Sequence, residues 1–213
     1  MRIDVFTLVP HAYAWLTEQR PVASVLGTSL ELRLFNYRDS TPLRAGQVDD
    51  EPYGGGAGMV LRVDVVAAAL EAVYDGDSAG PVIALTPKGR RLTQAVVEEL
   101  AALPAFTLLS SRFEGFDERI VEHLATDALS VGPYVLSNGD LPAMIVLDAV
   151  ARRLPGALAE GSGELESFSP ELGGGLEYPH YTRPAEFRGW SVPDVLLSGD
   201  HARVEAWRRE QVR

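Results

Sequence analysis

A chain of 213 residues, 46% of them apolar, can build one good-sized core with room for a small appendage. It has no cysteine, which excludes a disulfide framework and a thiolate metal site, and no apolar run of about 18 residues, which excludes a membrane-spanning helix. The net charge of -11 argues against a broadly basic nucleic-acid-binding face.

Met1-Arg2-Ile3-Asp4 leads straight into a mixed polar and apolar segment rather than a leader peptide, so a cytoplasmic protein is expected. Residues 2–8 read as a strand, with Ile3, Val5 and Leu8 apolar. Pro10 opens a helix carrying Ala14, Trp15 and Leu16. Residues 30–35 alternate as a half-buried strand. Residues 38–59 form a long polar, glycine-rich loop, a kind usually kept for function. Residues 63–74 are helical, with Val66, Leu70 and Val73 on one face. Next come a short buried strand at 81–85, a helix at 93–100, a strand at 106–110 and a helix at 117–124. A short strand at 129–131 precedes a strongly apolar, buried helix at 141–154. Strand and helix alternate, which predicts an α/β fold: a mostly parallel sheet with helices on both faces. Residues 156–177 are rich in glycine and glutamate and read as a flexible linker. Beyond it lie Tyr178-Pro179-His180-Tyr181 and a final helix capped by Asp200, a small helical C-terminal module. That end is locally basic: Arg203, Arg208, Arg209 and Arg213 outnumber Glu205 and Glu210.

Several motifs can be weighed on mechanism. Gly76-Asp77-Ser78-Ala79-Gly80 matches the G-x-S-x-G pattern, but a nucleophile elbow must lead from a strand into a helix. Here the segment leaves a helix and enters a strand, so it reads as an exposed turn. Gly54-Gly55-Gly56-Ala57-Gly58 lacks the Lys-Ser/Thr of a phosphate loop and indicates only a tight turn or close approach to a ligand. His11, His123, His180 and His201 are too scattered for a metal site, and none is predicted. Three Gly-rich, polar segments follow predicted parallel strands, at 85–89, 111–119 and 131–140, where α/β sheets bind ligands.

The motifs also carry a resemblance. Residues 48–59, Glu114-Gly115-Phe116-Asp117-Glu118-Arg119, Tyr134-Val135-Leu136-Ser137, Leu141-Pro142-Ala143-Met144, Pro179-His180-Tyr181-Thr182-Arg183-Pro184 and residues 195–202 occur in the order and spacing of the bacterial tRNA (guanine-N1)-methyltransferases. The chain resembles that family over nearly its whole length. The resemblance implies a knotted S-adenosylmethionine-binding domain at 1–156 with a C-terminal trefoil knot, a flexible linker at 157–178 and a small, truncated tRNA-binding domain at 179–213. It implies a homodimer with the active site at the interface, tRNA as partner, and no membrane. The cofactor it implies is S-adenosylmethionine, held by Leu85, Thr86, Pro87, Ser111, Phe113, Glu114, Gly115, Val131, Gly132, Tyr134, Leu136, Asn138, Gly139 and Pro142. Mg²⁺ is compatible with such a site but has no ligand set legible in the sequence. RNA contacts are implied for Asp50, Tyr53, Gly55, Arg183, Ser198, His201, Arg208 and Arg209.

The resemblance also assigns a catalytic pair. Arg152 matches the family's arginine, and Glu166-Ser167-Phe168 stands where the family has Asp-Ser-Phe. Guanine N1 is a poor nucleophile until its proton leaves, which a carboxylate such as Glu166 can take. Charge then builds on O6, where the Arg152 guanidinium can stabilise it. This chain has Ser111 and Asn138 where the family has Gly, Phe113 for Tyr, Pro133 for Asp and Asp140 for Glu. Two readings follow: methyl transfer to guanine 3′-adjacent to the anticodon, or a weakened or inactive knotted paralogue that binds RNA or a protein.

Overall fold

Strand β1 (Arg2–Thr7) organises the first part of the molecule, because its side chains divide strictly between two faces. Phe6 enters a buried cluster with Tyr37, Val65, Val66, Tyr74 and Leu109, so this face is covered by helix α3 (Val63–Val73). One residue on, the Thr7 hydroxyl donates to Asp140 at 2.6 Å on the opposite face. Asp140 begins the apolar helix α5 (Asp140–Ala151). Two helical layers therefore enclose one sheet.

The computed structural model describes residues 1–76, 78–159 and 166–213. It divides into two units, Met1–Ala157 and Leu158–Arg213. In the first unit, β1 lies between β2 (Glu31–Asn36) and β6 (Ala105–Leu109), and β6 is followed by β5 (Val82–Arg91) and β7 (Asp127–Ser130). Every pairing in this sheet is parallel. Connections run through short helices α1 (Ala14–Glu18) and α2 (Val22–Val25), then α3, then α4 (Gln94–Ala101). The Thr93 side chain caps α4 by accepting from the Val96 amide. No helix among the described residues is long and apolar enough to cross a membrane.

The structure corrects four details of the expected elements. Strand β5 does not stop at Leu85 but continues to Arg91, with a register shift in which Leu85 and Arg90 both face Leu129. Residues 86–89 are thus an outward bulge inside a strand. The helix expected at 117–124 runs over 118–124, but its last five residues, Ile120–Leu124, wind as a π-helix. The loop at 38–59 contains β3 (Asp49–Asp50), which pairs antiparallel with β4 (Val60–Leu61). The helix at 140–151 is not wholly buried: Leu141 and Ile145 are 51% and 43% exposed.

The second unit holds more than helices. A hairpin of β8 (Glu186–Phe187) and β9 (Trp190–Ser191) precedes α6 (Asp194–Leu197) and α7 (His201–Gln211). The Asp200 carboxylate caps α7 by accepting from the amides of Ala202 and Arg203. Residues 166–177, expected as flexible linker, form a hydrogen-bonded turn: Phe168 N–H donates to Gly175 O, and Ser169 N–H to Glu166 O. Residues 160–165 of that segment, and Asp77 of the G-x-S-x-G match, lie outside the described residues.

A buried carboxylate ties the start of the sheet to the end of α3. Asp4, 1% exposed, accepts two bonds from Arg33 at 2.7 and 2.6 Å and one from Tyr74 at 2.6 Å. Burial, and then the bond to Asp4, push the Tyr74 hydroxyl up to about 12. Asp4→Ala removes the acceptor shared by the half-buried guanidinium and the phenol, which keeps Thr107 as a partner at 2.6 Å, so we expect a loss of about 2 kcal/mol, read as a lower urea midpoint.

Candidate functional site

The three segments that follow parallel strands converge on one cavity. The β5 bulge supplies Leu85, Thr86 and Pro87. The turn after β6 supplies Ser111, Phe113, Glu114 and Gly115. The segment from the end of β7 into α5 supplies Val131, Gly132, Tyr134, Leu136, Asn138, Gly139 and Pro142. Every residue expected to hold the cofactor thus lines the same cavity, at the carboxyl ends of the strands. Arg112, Leu129, Ser130, Val135 and Ser137 line it too. Sequence reading misses these five, although Arg112, Val135 and Ser137 stand inside the same loops.

Local backbone explains the shape. Phe113 sits at φ 60°, a region that residues with side chains rarely adopt, and turns the chain within the cavity wall. Gly139 packs against the opposite loop: its amide donates to Ser111 O at 2.8 Å. A Cβ there would lie 2.8 Å from Ser111 N and 2.9 Å from Ser110 Cα. The lining includes the apolar residues Leu85, Leu136 and Pro142 and one acidic residue, Glu114.

Glu114 also touches the glycine loop. Its amide donates to Met59 O at 2.9 Å, and its side chain fills the space where Gly58 would carry a Cβ. Leu61 N–H donates to Gly115 O, and Asp117 N–H to Leu61 O, both at 3.0 Å. The glycine loop and the cavity turn are therefore one hydrogen-bonded assembly.

A second groove adjoins that assembly, lined by Asp50, Glu51, Pro52, Tyr53, Val60, Arg62, Val63, Asp64 and residues 116–119. It contains two of the expected RNA-contact residues, Asp50 and Tyr53, while Gly55 lies in the adjacent loop. Tyr53 is fully exposed. Arg62 bridges Asp50 at 2.7 Å and Asp64 at 2.8 Å. Its hydrogen bonds hold the Asp64 carboxyl below the usual range, and Arg119 does the same for Asp117. The sequence offers no signal for the Arg62–Asp50 pair, because it joins different elements.

The remaining expected residues are placed as follows. In the second unit Arg183, Ser198, His201, Arg208 and Arg209 are all exposed. Arg208 lies 4.8 Å above the Tyr178 ring, and Arg209 pairs with Glu205. Arg152 caps the C-terminus of α5 in the first unit. Glu166 opens the hydrogen-bonded turn at 166–177 in the second unit. Among the described residues no cluster of three or more His, Asp or Glu side chains could hold a metal ion.

Similarity to known proteins runs along the whole chain. The family model described as tRNA (Guanine-1)-methyltransferase TrmD matches residues 1–213. A protein of Dehalococcoides mccartyi is 46% identical over 214 residues, covering 99% of this chain and 85% of its own length. One of Brevibacillus brevis is 47% identical over 217 residues, with 99% and 86% covered. One of Geobacillus kaustophilus is 43% identical over 213 residues, again with 99% and 86% covered. All three are named tRNA (guanine-N(1)-)-methyltransferase. A match of the family's model from first residue to last, with relatives this similar along the whole chain, means that the protein belongs to the tRNA (guanine-1)-methyltransferase family.

Proposed function

We propose that this chain transfers a methyl group from S-adenosylmethionine to N1 of the guanine 3′-adjacent to the anticodon of tRNA. The observation that carries the reading is the convergence of three sequence-distant loops on one cavity in a chain that matches the family from end to end. The cavity suits the donor chemically. Leu85, Leu136 and Pro142 offer apolar walls to a flat base, backbone groups offer bonds to its edge, and the Glu114 carboxylate offers a partner for an ammonium. When bound, S-adenosylmethionine supplies a methyl group already activated on a sulfonium.

The chain's own residues supply the rest. Glu166 takes the proton from guanine N1, and Arg152 stabilises the charge that builds on O6. Loops of the first unit align the reactants, which is worth more than further activation of the methyl group. The trefoil knot is part of the same proposal and would be formed by the segments that line the cavity. The test is methyl transfer to a tRNA with guanine directly 3′ to the anticodon, against the same tRNA with adenine there. Transfer only to the first is expected. Equal transfer to both would reject the proposed target.

We place the active unit in a homodimer. Leu141 and Ile145, one turn apart and so on one face of α5, are exposed, and Val135 in the preceding loop is 86% exposed. Large apolar side chains grouped on one surface mark a partner face. Ile145→Glu should convert a dimer into monomers by sedimentation and abolish methyl transfer; a dimer unaffected by this change would rule out α5 as the contact.

tRNA binding is assigned to a few arginines, since the protein as a whole is acidic. Replacing Arg208 and Arg209 together by Ala should weaken tRNA binding and reduce its salt slope by about one for each phosphate that is no longer neutralised. An unchanged slope would place the tRNA elsewhere.

A further inference from the structure

Two of the three loops around the cavity are tied together at their base by one buried carboxylate. Asp140 is 3% exposed, although it stands at the first turn of a helix, where an acid ordinarily faces water. Its Oδ1 accepts three hydroxyls: Thr7 at 2.6 Å, Ser110 at 2.9 Å and Tyr13 at 3.0 Å. Burial, and then the charge on Asp140, push the Tyr13 hydroxyl well above its ordinary range. None of these four side chains lines the cavity. Their neighbours in sequence do: Ser111 follows Ser110, and Asn138 and Gly139 precede Asp140.

We infer that Asp140 is a positioning residue for the cofactor cavity, acting through Ser110 to hold the turn after β6 against the start of α5. The Ser110–Asp140 bond closes a ring with the bond from Gly139 N–H to Ser111 O at 2.8 Å. Within the second loop, the Asn138 side chain accepts from the Asp140 amide at 3.0 Å and braces the approach to α5. A charged acceptor gives hydroxyl bonds roughly twice the strength of neutral ones, so the carboxylate fixes the spacing of the two loops more firmly than an amide would. Thr7 and Tyr13 come from β1 and the turn after it, and anchor the carboxylate to the sheet. Asp140 is thereby set by the rigid core and transmits that position to the loops. The role in cofactor affinity rests on the function proposed above; the tie between the loops does not.

The test separates the two. In the protein without added ligand, Asp140→Asn should speed hydrogen exchange at the amides of Gly139 and the 111–115 turn together, leaving β2 unchanged. Protection unchanged in both segments would overturn the tie. S-adenosylmethionine affinity is then measured by calorimetry. The parent protein failing to bind would reject the donor assignment while leaving the exchange result to decide the tie. With binding present, Asp140→Asn and Ser110→Ala should each raise Kd by about tenfold, and the double variant should raise it little further, because both cut one link. kcat at saturating donor should change far less than KM. Tyr13→Phe removes a bond to the same carboxylate from a residue that belongs to neither cavity loop, and should lower the melting temperature while keeping Kd within about twofold. Additive effects of the pair, or a Kd loss in Tyr13→Phe equal to that in Ser110→Ala, would show general destabilisation and overturn the positioning role.

Discussion

Glu166→Gln should lower the rate of methyl transfer by at least about a hundredfold, the usual contribution of a positioned general base. The change keeps side-chain size and hydrogen-bonding capacity but cannot accept the N1 proton. It should leave S-adenosylmethionine affinity within about twofold, since the residue is assigned to the guanine and not to the donor. Hydrogen bonds hold the backbone around this position: Ser169 N–H donates to the Glu166 carbonyl at 3.0 Å, and Glu177 N–H donates to the Ser167 hydroxyl at 3.1 Å. Glu166→Asp should hold or raise the rate, because the family's shorter acid stands at this position and a shift of about 1 Å can cost a hundredfold. Turnover of Glu166→Gln at the parent rate would move the base elsewhere. Asp50 would be the next candidate, although its carboxylate already engages Arg62 at 2.7 Å.

The second large effect is expected at Gly139. The position has ordinary backbone angles, with φ -83°, so a substitution there meets no conformational barrier. The obstacle is space. An alanine Cβ would press on Ser111 N at 2.8 Å and Ser110 Cα at 2.9 Å, both main-chain atoms that cannot rotate away. Overpacking of this kind costs about 1–3 kcal/mol. The loops must part to relieve it, and parting them opens the cavity. Gly139→Ala should therefore raise the Kd for S-adenosylmethionine by roughly ten- to a hundredfold and lower the melting temperature by several degrees. Titration calorimetry and a thermal melt read both. A variant that binds the donor as tightly as the parent would show that the loop packing does not shape the cavity.

How much of this is legible in the sequence varies with the range of the forces involved. The alternation of Ile3, Val5 and Leu8 marks β1, and the Asp200 side chain marks a helix start, because these signals are local. Strand β5 reads as ending at Leu85 because Pro87 and Gly89 look like breakers. The sheet instead accommodates them as a bulge and resumes at Arg90 opposite Leu129. The gathering of residues 85–87, 111–115 and 131–142 into one cavity is expected from strand ends and the family resemblance. The role of Asp140 lies beyond sequence reading altogether. An acid at a helix start looks like a solvated dipole partner, and nothing in one dimension brings Thr7, Tyr13 and Ser110 to the same oxygen. The pairing of Arg62 with Asp50 is hidden for the same reason, since the two residues meet only through the β3–β4 hairpin.

The most direct measurement of the central claim is incubation of unmodified bulk tRNA with the protein and S-adenosylmethionine labelled in its methyl group, followed by nucleoside analysis. Label recovered in 1-methylguanosine is the predicted result. Label in any other nucleoside, or none in tRNA from a protein that binds the donor, would contradict it.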